Sequence, residues 1–281
     1  MSNPARYLGF HPVPLVASGD FVALNMTGFP GSLAWRQMAS DIYGNVYVTR
    51  YGYDIYMKPL GSGVFVAQIQ GARSWSGIAA APDGSVYASI GEGAGPIYKR
   101  TVVIGNFISQ GGQSKSVRAL CVAPNGDIYA AVEYDDIYKW AGGAFASQGA
   151  GNLRWCSLAA DIDGNIYAGT MSGATPGNIY KRTGGEGAWD AMGAPALAWY
   201  GLAGAPNGDV YAAAYSREIF KKEYGSDIFA ILEDQRRNWY GITADLTNNV
   251  YAGVYYGDLY EMTAAGNPIT VVMDDLSHNE D

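Results

Sequence analysis

VRALCVAPNGDIYAAVEYDDIYKWAGGAFASQG, residues 117–149, is the stretch that decides the fold. A first apolar run reaches about Ala123 and stops at Ala-Pro-Asn-Gly; a second starts at Asp127, a third covers Asp136 to Trp140, and a fourth Ala144 to Gln148. Each run has the length of a strand and none the length of a helix. In the turn, proline sets φ near about −65° and glycine supplies the positive φ that closes a type I turn with a left-handed residue. Four short strands joined this way describe one antiparallel four-stranded sheet.

The pattern recurs on both sides. Trp35, Trp75, Trp155, Trp199 and Trp239 stand where this stretch has Val117, and the turn glycine recurs at Gly44, Gly84, Gly126, Gly164 and Gly208, with Asn248 in the sixth copy. Asparagine is the non-glycine residue that best tolerates a left-handed backbone, so the sixth copy keeps the pattern. Steps of 40, 42, 38, 44 and 40 residues between turns match the roughly 40–45 residues of a propeller blade. A further column, Ile55-Tyr56, Ile97-Tyr98, Ile137-Tyr138, Ile179-Tyr180, Ile219-Phe220 and Leu259-Tyr260, marks the third strands. The expectation is an all-β, six-bladed β-propeller of four-stranded antiparallel blades over residues 19–273, its ring closed by N- and C-terminal strands, with an extended arm at 1–18 and an acidic tail at 274–281. Phe21 to Asn25 matches the fourth-strand segments Phe65 to Gln68 and Phe145 to Gln148. Its expected partner is the strand around Leu259-Tyr260, with Ile269 to Met273 competing for the same place.

Alanine and glycine crowd the first strands, as in Ala79 to Ala81 and Ala203 to Ala205, where strands converge on the ring axis. The tryptophans and the tyrosines Tyr47, Tyr87, Tyr129, Tyr167, Tyr211 and Tyr251 are expected to pack between blades.

A net charge of −8 and a pI near 4.7, with no Lys/Arg run, repel a phosphate backbone, so nucleic acid is not an expected partner. No run of 18 apolar residues and no uninterrupted apolar segment near the N-terminus occurs, so neither membrane insertion nor export is expected. Synthesis in the cytoplasm follows, with incorporation into a virion if the chain serves an assembly. Cys121 and Cys156 fall at different positions of neighbouring first strands and read as buried thiols, not a disulfide.

The combination W-x-x-[IL]-A, D/N-G, [VI]-Y and I-Y-K resembles tectonin repeats, the motif of six-bladed propeller lectins, over about 240 residues. NHL-type propellers share the turn seen at Asp163 to Tyr167, and residues 178–193 and 205–215 are similar to propeller repeats of phage and prophage tail-associated proteins. The tectonin likeness implies multivalent sugar binding between neighbouring blades. Val117 in the tryptophan column and the longer repeat depart from that pattern.

The only histidines, His11 and His278, fall in the terminal arms, and no zinc, phosphate-loop or calcium-loop motif is present, so no cofactor is expected. Asp41, Asp161 and Asp245 share one repeat position where other copies have Ala81, Ala123 and Ala205. Aspartate appears where the next residue is Ile or Leu and alanine where it is Pro. The expected role is to accept a backbone N–H that the proline turn does not present, the alternative being a Ca²⁺ site at one channel mouth. Loops between second and third strands contribute Tyr51, Tyr53, Tyr134, Tyr215, Tyr255 and Tyr256 to one face, and the connections into the next first strands contribute Arg73, Arg236, Arg237 and Asn238. Flat aromatic surfaces beside planar polar groups suit a sugar. The expectation is therefore a non-enzymatic, glycan-binding, lectin-like module facing a glycosylated surface, possible on a phage tail or other assembly whose neighbouring subunits meet the terminal arms. A structural assembly protein is the first alternative, and a metal-dependent hydrolase or lyase on an NHL-type propeller the second.

Overall fold

The computed structural model describes residues 21–24, 34–93, 95–101, 105–111, 115–171 and 177–264, side chains 233 and 234 excepted. The expected arm at 1–18, both histidines, residues 269–273 and the tail at 274–281 lie outside the described residues.

Strands dominate, interrupted by a single 3-10 turn at Thr183–Gly185 among the described residues. Trp35–Ser40, Val46–Arg50, Ile55–Lys58 and Val66–Ala67 form one four-stranded antiparallel sheet, and Trp75–Ala80, Val86–Ile90, Tyr98–Arg100 and Ile108–Ser109 form the next. Val117–Val122, Ile128–Asp135, Ile137–Ala141 and Ala144–Ser147 repeat this order, as do Leu153–Ala160, Ile166–Thr170, Ile179–Arg182 and Asp190–Ala191. These two units join edgewise where Glu133 faces Arg154 and Asp135 faces Leu153. In the last two repeats, Val210–Lys222 and Phe229–Ala244 each run two strand positions together. The N-terminal strand pairs as expected: Val22 faces Glu261, Ala23 faces Tyr260, and Leu24 N donates to Leu259 O at 2.7 Å.

The turn between first and second strands is the same in every repeat. Gly44, Gly84, Gly126, Gly164 and Gly208 have φ of 78°, 81°, 88°, 80° and 88°, and Asn248 takes 63°. The left-handed residue donates its N–H back three residues, as from Gly126 to Ala123 O at 2.8 Å and from Asn248 to Asp245 O at 3.0 Å.

The aromatic columns pack between neighbouring repeats. All five tryptophans of the column are at most 1 % exposed. Tyr47 and Ile55 of one repeat pack with Trp75, Ile78 and Phe107 of the next, and Tyr167 and Ile179 pack with Trp199 and Phe229. Trp35 and Phe65 of the first repeat pack with Tyr251 and Leu259 of the last. Burying each such indole is worth several kcal/mol, at roughly 25 cal/mol per Å² of apolar surface.

Small residues on the first strands have a steric cause. A Cβ at Gly241 would lie 2.0 Å from Arg36 O, and one at Gly201 2.3 Å from Tyr240 O. First strands from all six repeats line a common cavity of about 120 Å³ around Gln37, Ala39, Leu120, Ala159, Ala203 and Thr243.

Candidate functional site

Two ends of this cavity differ in chemistry. At the turn end a cavity of about 190 Å³ is lined by Asp41, Asp161 and Asp245 together with apolar turn residues such as Ile42, Pro82 and Leu246. The aspartates are committed to their own turns. Asp41 Oδ1 accepts from Tyr43 N and Asn45 N, both at 2.9 Å, and Oδ2 accepts from Asn45 Nδ2 at 2.9 Å and Tyr47 Oη at 2.7 Å. Asp161 and Asp245 repeat this with Asn165 and Tyr167, and with Asn249 and Tyr251. The expected backbone role is present, but its rationale is corrected. Proline turns present one of these two N–H groups, that of the fifth turn residue, and there the third turn residue takes it: Asp83 Oδ1 from Ser85 N, Asn125 Oδ1 from Asp127 N, Asn207 Oδ1 from Asp209 N. Among the described residues no group of three or more His, Cys, Asp or Glu side chains could hold a metal. The residues present do not fit a bound cation.

The opposite end gathers charged and aromatic side chains. The residue after each member of the tryptophan column, Val117 included, places Arg36, Ser76, Arg118, Cys156, Tyr200 and Tyr240 there. Arg118 and Arg154 converge on one carboxylate: Arg118 Nε lies 2.9 Å from Glu133 Oε2, and Arg154 Nε 2.7 Å from Oε1. The Tyr200 ring lies 4.4 Å from Tyr240 and 5.2 Å from Tyr215, and Tyr240 stacks on Tyr255 at 5.4 Å. The Arg36 guanidinium sits 4.9 Å from the ring centroids of Tyr51 and Tyr240 and 5.1 Å from that of Tyr255. Tyr51 Oη donates to Glu92. Burial pushes Tyr240 up to about 12, with Arg36 and Arg118 pulling the other way, and raises Tyr200. Both phenols therefore stay protonated near neutrality and act as donors. Burial also pushes the Cys156 thiol up to about 12 and raises Cys121; both are free and buried, as expected, and neither is a poised thiolate.

The ten residues expected on this face divide into two groups. Tyr51, Tyr215, Tyr255 and Tyr256 join the cluster around Arg36, with Tyr255 and Tyr256 rings 4.0 Å apart. Tyr134 lies beside it, its ring 5.5 Å from Arg154. The others occupy seams between repeats. Tyr53 bridges to Arg73 and lies under Arg50 at 3.8 Å; Arg73 donates to Tyr98 Oη. Arg236 pairs with Glu218 at 2.7 Å, Arg237 donates to Tyr260 Oη at 2.9 Å, and Asn238 accepts from Ser216 Oγ at 2.8 Å. Tyr134, Ser216 and Tyr256 share one loop position and hold φ of 59°, 56° and 61°. Such a backbone in a bulky residue costs about 1–3 kcal/mol and clusters at functional sites.

Sequence reasoning passed over Arg36, Arg118, Glu133, Tyr200 and Tyr240. A signal existed for four of these: the position after the column carries a guanidinium or a phenol at Arg36, Arg118, Tyr200 and Tyr240, on strands otherwise rich in small and apolar residues.

No family model and no curated protein matches the chain. Solved structures do match in fold. A gluconolactonase from Xanthomonas campestris aligns with a TM-score of 0.69 and 11% identity, covering 86% of this chain and 89% of that one. A streptogramin B lyase aligns at 0.59 and 10% over 86% and 96%, and a PQQ-bound aldose sugar dehydrogenase from Streptomyces coelicolor at 0.58 and 14% over 88% and 98%. At these identities the likeness is one of fold. It supports a β-propeller and corrects the functional expectation: these propellers are enzymes, not lectins or phage tail modules, so the reading of a non-enzymatic recognition or assembly protein is withdrawn.

Proposed function

We propose that the chain is a six-bladed β-propeller enzyme, a hydrolase or lyase that opens a small, polar, ring-shaped substrate at the arginine and tyrosine end of its channel. The six-bladed closed ring is supported by the aromatic clusters. Each joins consecutive repeats, and the sixth joins Trp35 to Tyr251 and Leu259. The N-terminal strand then completes the last blade and covers its edge, as ring closure requires.

Glu133 carries the enzymatic reading. Its carboxylate is 17 % exposed and fixed by two guanidinium groups, each using one lone pair of one oxygen. A second lone pair on each oxygen is left to take a proton. In ester hydrolysis, Glu133 removes a proton from water as the water oxygen bonds the acyl carbon. The neutral phenols of Tyr200 and Tyr240 donate to the oxygen that gains charge, and the ring C–O bond breaks as its oxygen takes up the proton. In elimination the same carboxylate removes a proton from carbon and the same donors receive the leaving oxygen. The gluconolactonase and lyase likenesses favour these two reaction classes.

A panel of sugar-derived and simple lactones, followed by acid release, tests the reading. Turnover is expected for at least one, with Glu133→Gln lowering kcat by about 100-fold or more while circular dichroism and Tm show an intact ring. Absence of turnover across the panel, or a folded Glu133→Gln variant at wild-type rate, overturns it.

A further inference from the structure

Arg36 is 8 % exposed, and its Nε is fully buried without a hydrogen-bond partner. Among the described residues it forms no ion pair, whereas Arg118 and Arg154 share Glu133. Its surroundings are three tyrosine rings, Tyr51, Tyr240 and Tyr255, at 4.9 to 5.1 Å. Ring faces attract a cation, but they do not accept the N–H bonds that radiate in the guanidinium plane. A buried charge without an anionic partner is strongly disfavoured. The nearby carboxylates do not relieve it: Glu133 is shared by two other arginines, and Glu92 receives Tyr51 Oη. Within this cluster three arginines therefore face two carboxylates, on a chain of net charge −8.

We infer that Arg36 anchors a carboxylate of the substrate, so that the molecule processed here is a small carboxylic acid with a ring or flat face. This rests on reading the tyrosine cluster as the active site. Carboxylate is favoured over phosphate because the tyrosines wall the guanidinium with flat surfaces. A planar two-oxygen group meets the guanidinium fork in its own plane and fits between rings, and a tetrahedral anion does not. Tyr200 and Tyr215, beside Tyr240, offer the next flat surface for the ring of the same molecule. Arg36 thus sets substrate choice, while Glu133 supplies the chemistry.

Matched probes test this independently of turnover. Benzoate against benzamide, glucuronate against glucose, and inorganic phosphate are titrated by calorimetry into the wild-type chain and into Arg36→Met and Arg36→Lys. Each carboxylate is expected to bind at least tenfold tighter than its neutral counterpart and tighter than phosphate. Arg36→Met should erase that preference, and Arg36→Lys should restore part of it. Equal binding of acid and neutral probe, preference for phosphate, or an unchanged preference in folded Arg36→Met overturns the inference. A wild-type chain that turns over neutral lactones without carboxylate preference would sink the anchor and leave the enzyme reading standing. Carboxylate binding lost in Arg36→Met, without turnover of any lactone, would keep the anchor and sink the lactone chemistry.

Discussion

Asp41→Ala is expected to destabilise the protein by about 3–5 kcal/mol, the cost of breaking a buried charged network by removing one partner. For a chain of this length that lowers Tm by roughly 10 °C. Asp41 is 2 % exposed and its two oxygens accept from two backbone N–H groups, the Asn45 amide and Tyr47 Oη. The Tyr47 ring in turn lies 5.0 Å from the guanidinium of Arg100, which is 2 % exposed and comes from the following repeat. The arrangement recurs wherever the turn begins with aspartate. Asp161 holds Tyr167, over which Lys222 lies at 5.6 Å; Asp245 holds Tyr251, which receives Lys58 Nζ at 3.3 Å. Each aspartate therefore stitches its turn through a tyrosine to a cation of the adjacent repeat, and in the last case the cation belongs to the first repeat. Where the turn begins with alanine the aspartate link is missing: Tyr87 meets Trp140 at 6.0 Å, Tyr129 Oη donates to Gly185 O of the next repeat at 3.4 Å, and Tyr211 Oη is buried without a partner. The contrast gives an internal control. Tyr47→Phe should cost about 1 kcal/mol, a lost hydrogen bond, whereas Tyr211→Phe should fall within about 0.5 kcal/mol of wild type. Urea unfolding of the three variants reads both; equal effects of Tyr47→Phe and Tyr211→Phe would dissolve the stitch as an energetic unit.

This coupling shows where sequence reasoning ended. The Asp41, Asp161 and Asp245 column was visible, as was the turn it starts, because turn chemistry acts over four or five residues. The cation at the end of the next third strand sits far along the chain, and only the closed packing of neighbouring repeats brings Arg100 to Tyr47 or Lys58 to Tyr251. The strand columns and the tryptophan packing were legible for the same local reason: a period near 40 residues repeats the geometry as well as the letters. The candidate site was legible in half. Position along the loops brings Tyr51, Tyr215, Tyr255 and Tyr256 together, whereas Arg73, Arg236 and Arg237 are held by Tyr98, Glu218 and Tyr260, contacts that sequence position does not reveal. Arg36 and Glu133 lie on strands, where periodic apolar residues direct attention to packing, and a charge inside such a strand marks chemistry only once its neighbours are known.

Gln37→Leu should cost about 3 kcal/mol, more than the deeper truncation Gln37→Ala, at about 1–2 kcal/mol. First strands form the inner edge of each sheet, so their axis-facing backbone groups lack a neighbouring strand and need another partner. Gln37 supplies it for two other repeats: Oε1 accepts from Ile78 N at 3.0 Å and Leu120 N at 2.9 Å, and Nε2 donates to Leu120 O at 2.6 Å. Ile78 and Leu120 are fully buried, so an apolar side chain of equal size leaves two donors and an acceptor unpaired. Alanine instead opens room toward the cavity of about 120 Å³ beneath Gln37. Water entering there can restore most of those bonds. The inverted order is the test, since a purely steric role would make alanine the worse substitution; unfolding free energies with Ala costing more than Leu would overturn the account. A functional consequence follows from chain geometry. Gln37 is the residue after Arg36 and separates the tyrosine-lined end from the cavity below, so relaxing its bonds loosens the strand that presents the guanidinium. Benzoate affinity should then fall in Gln37→Leu in step with its stability, and fall less in Gln37→Ala.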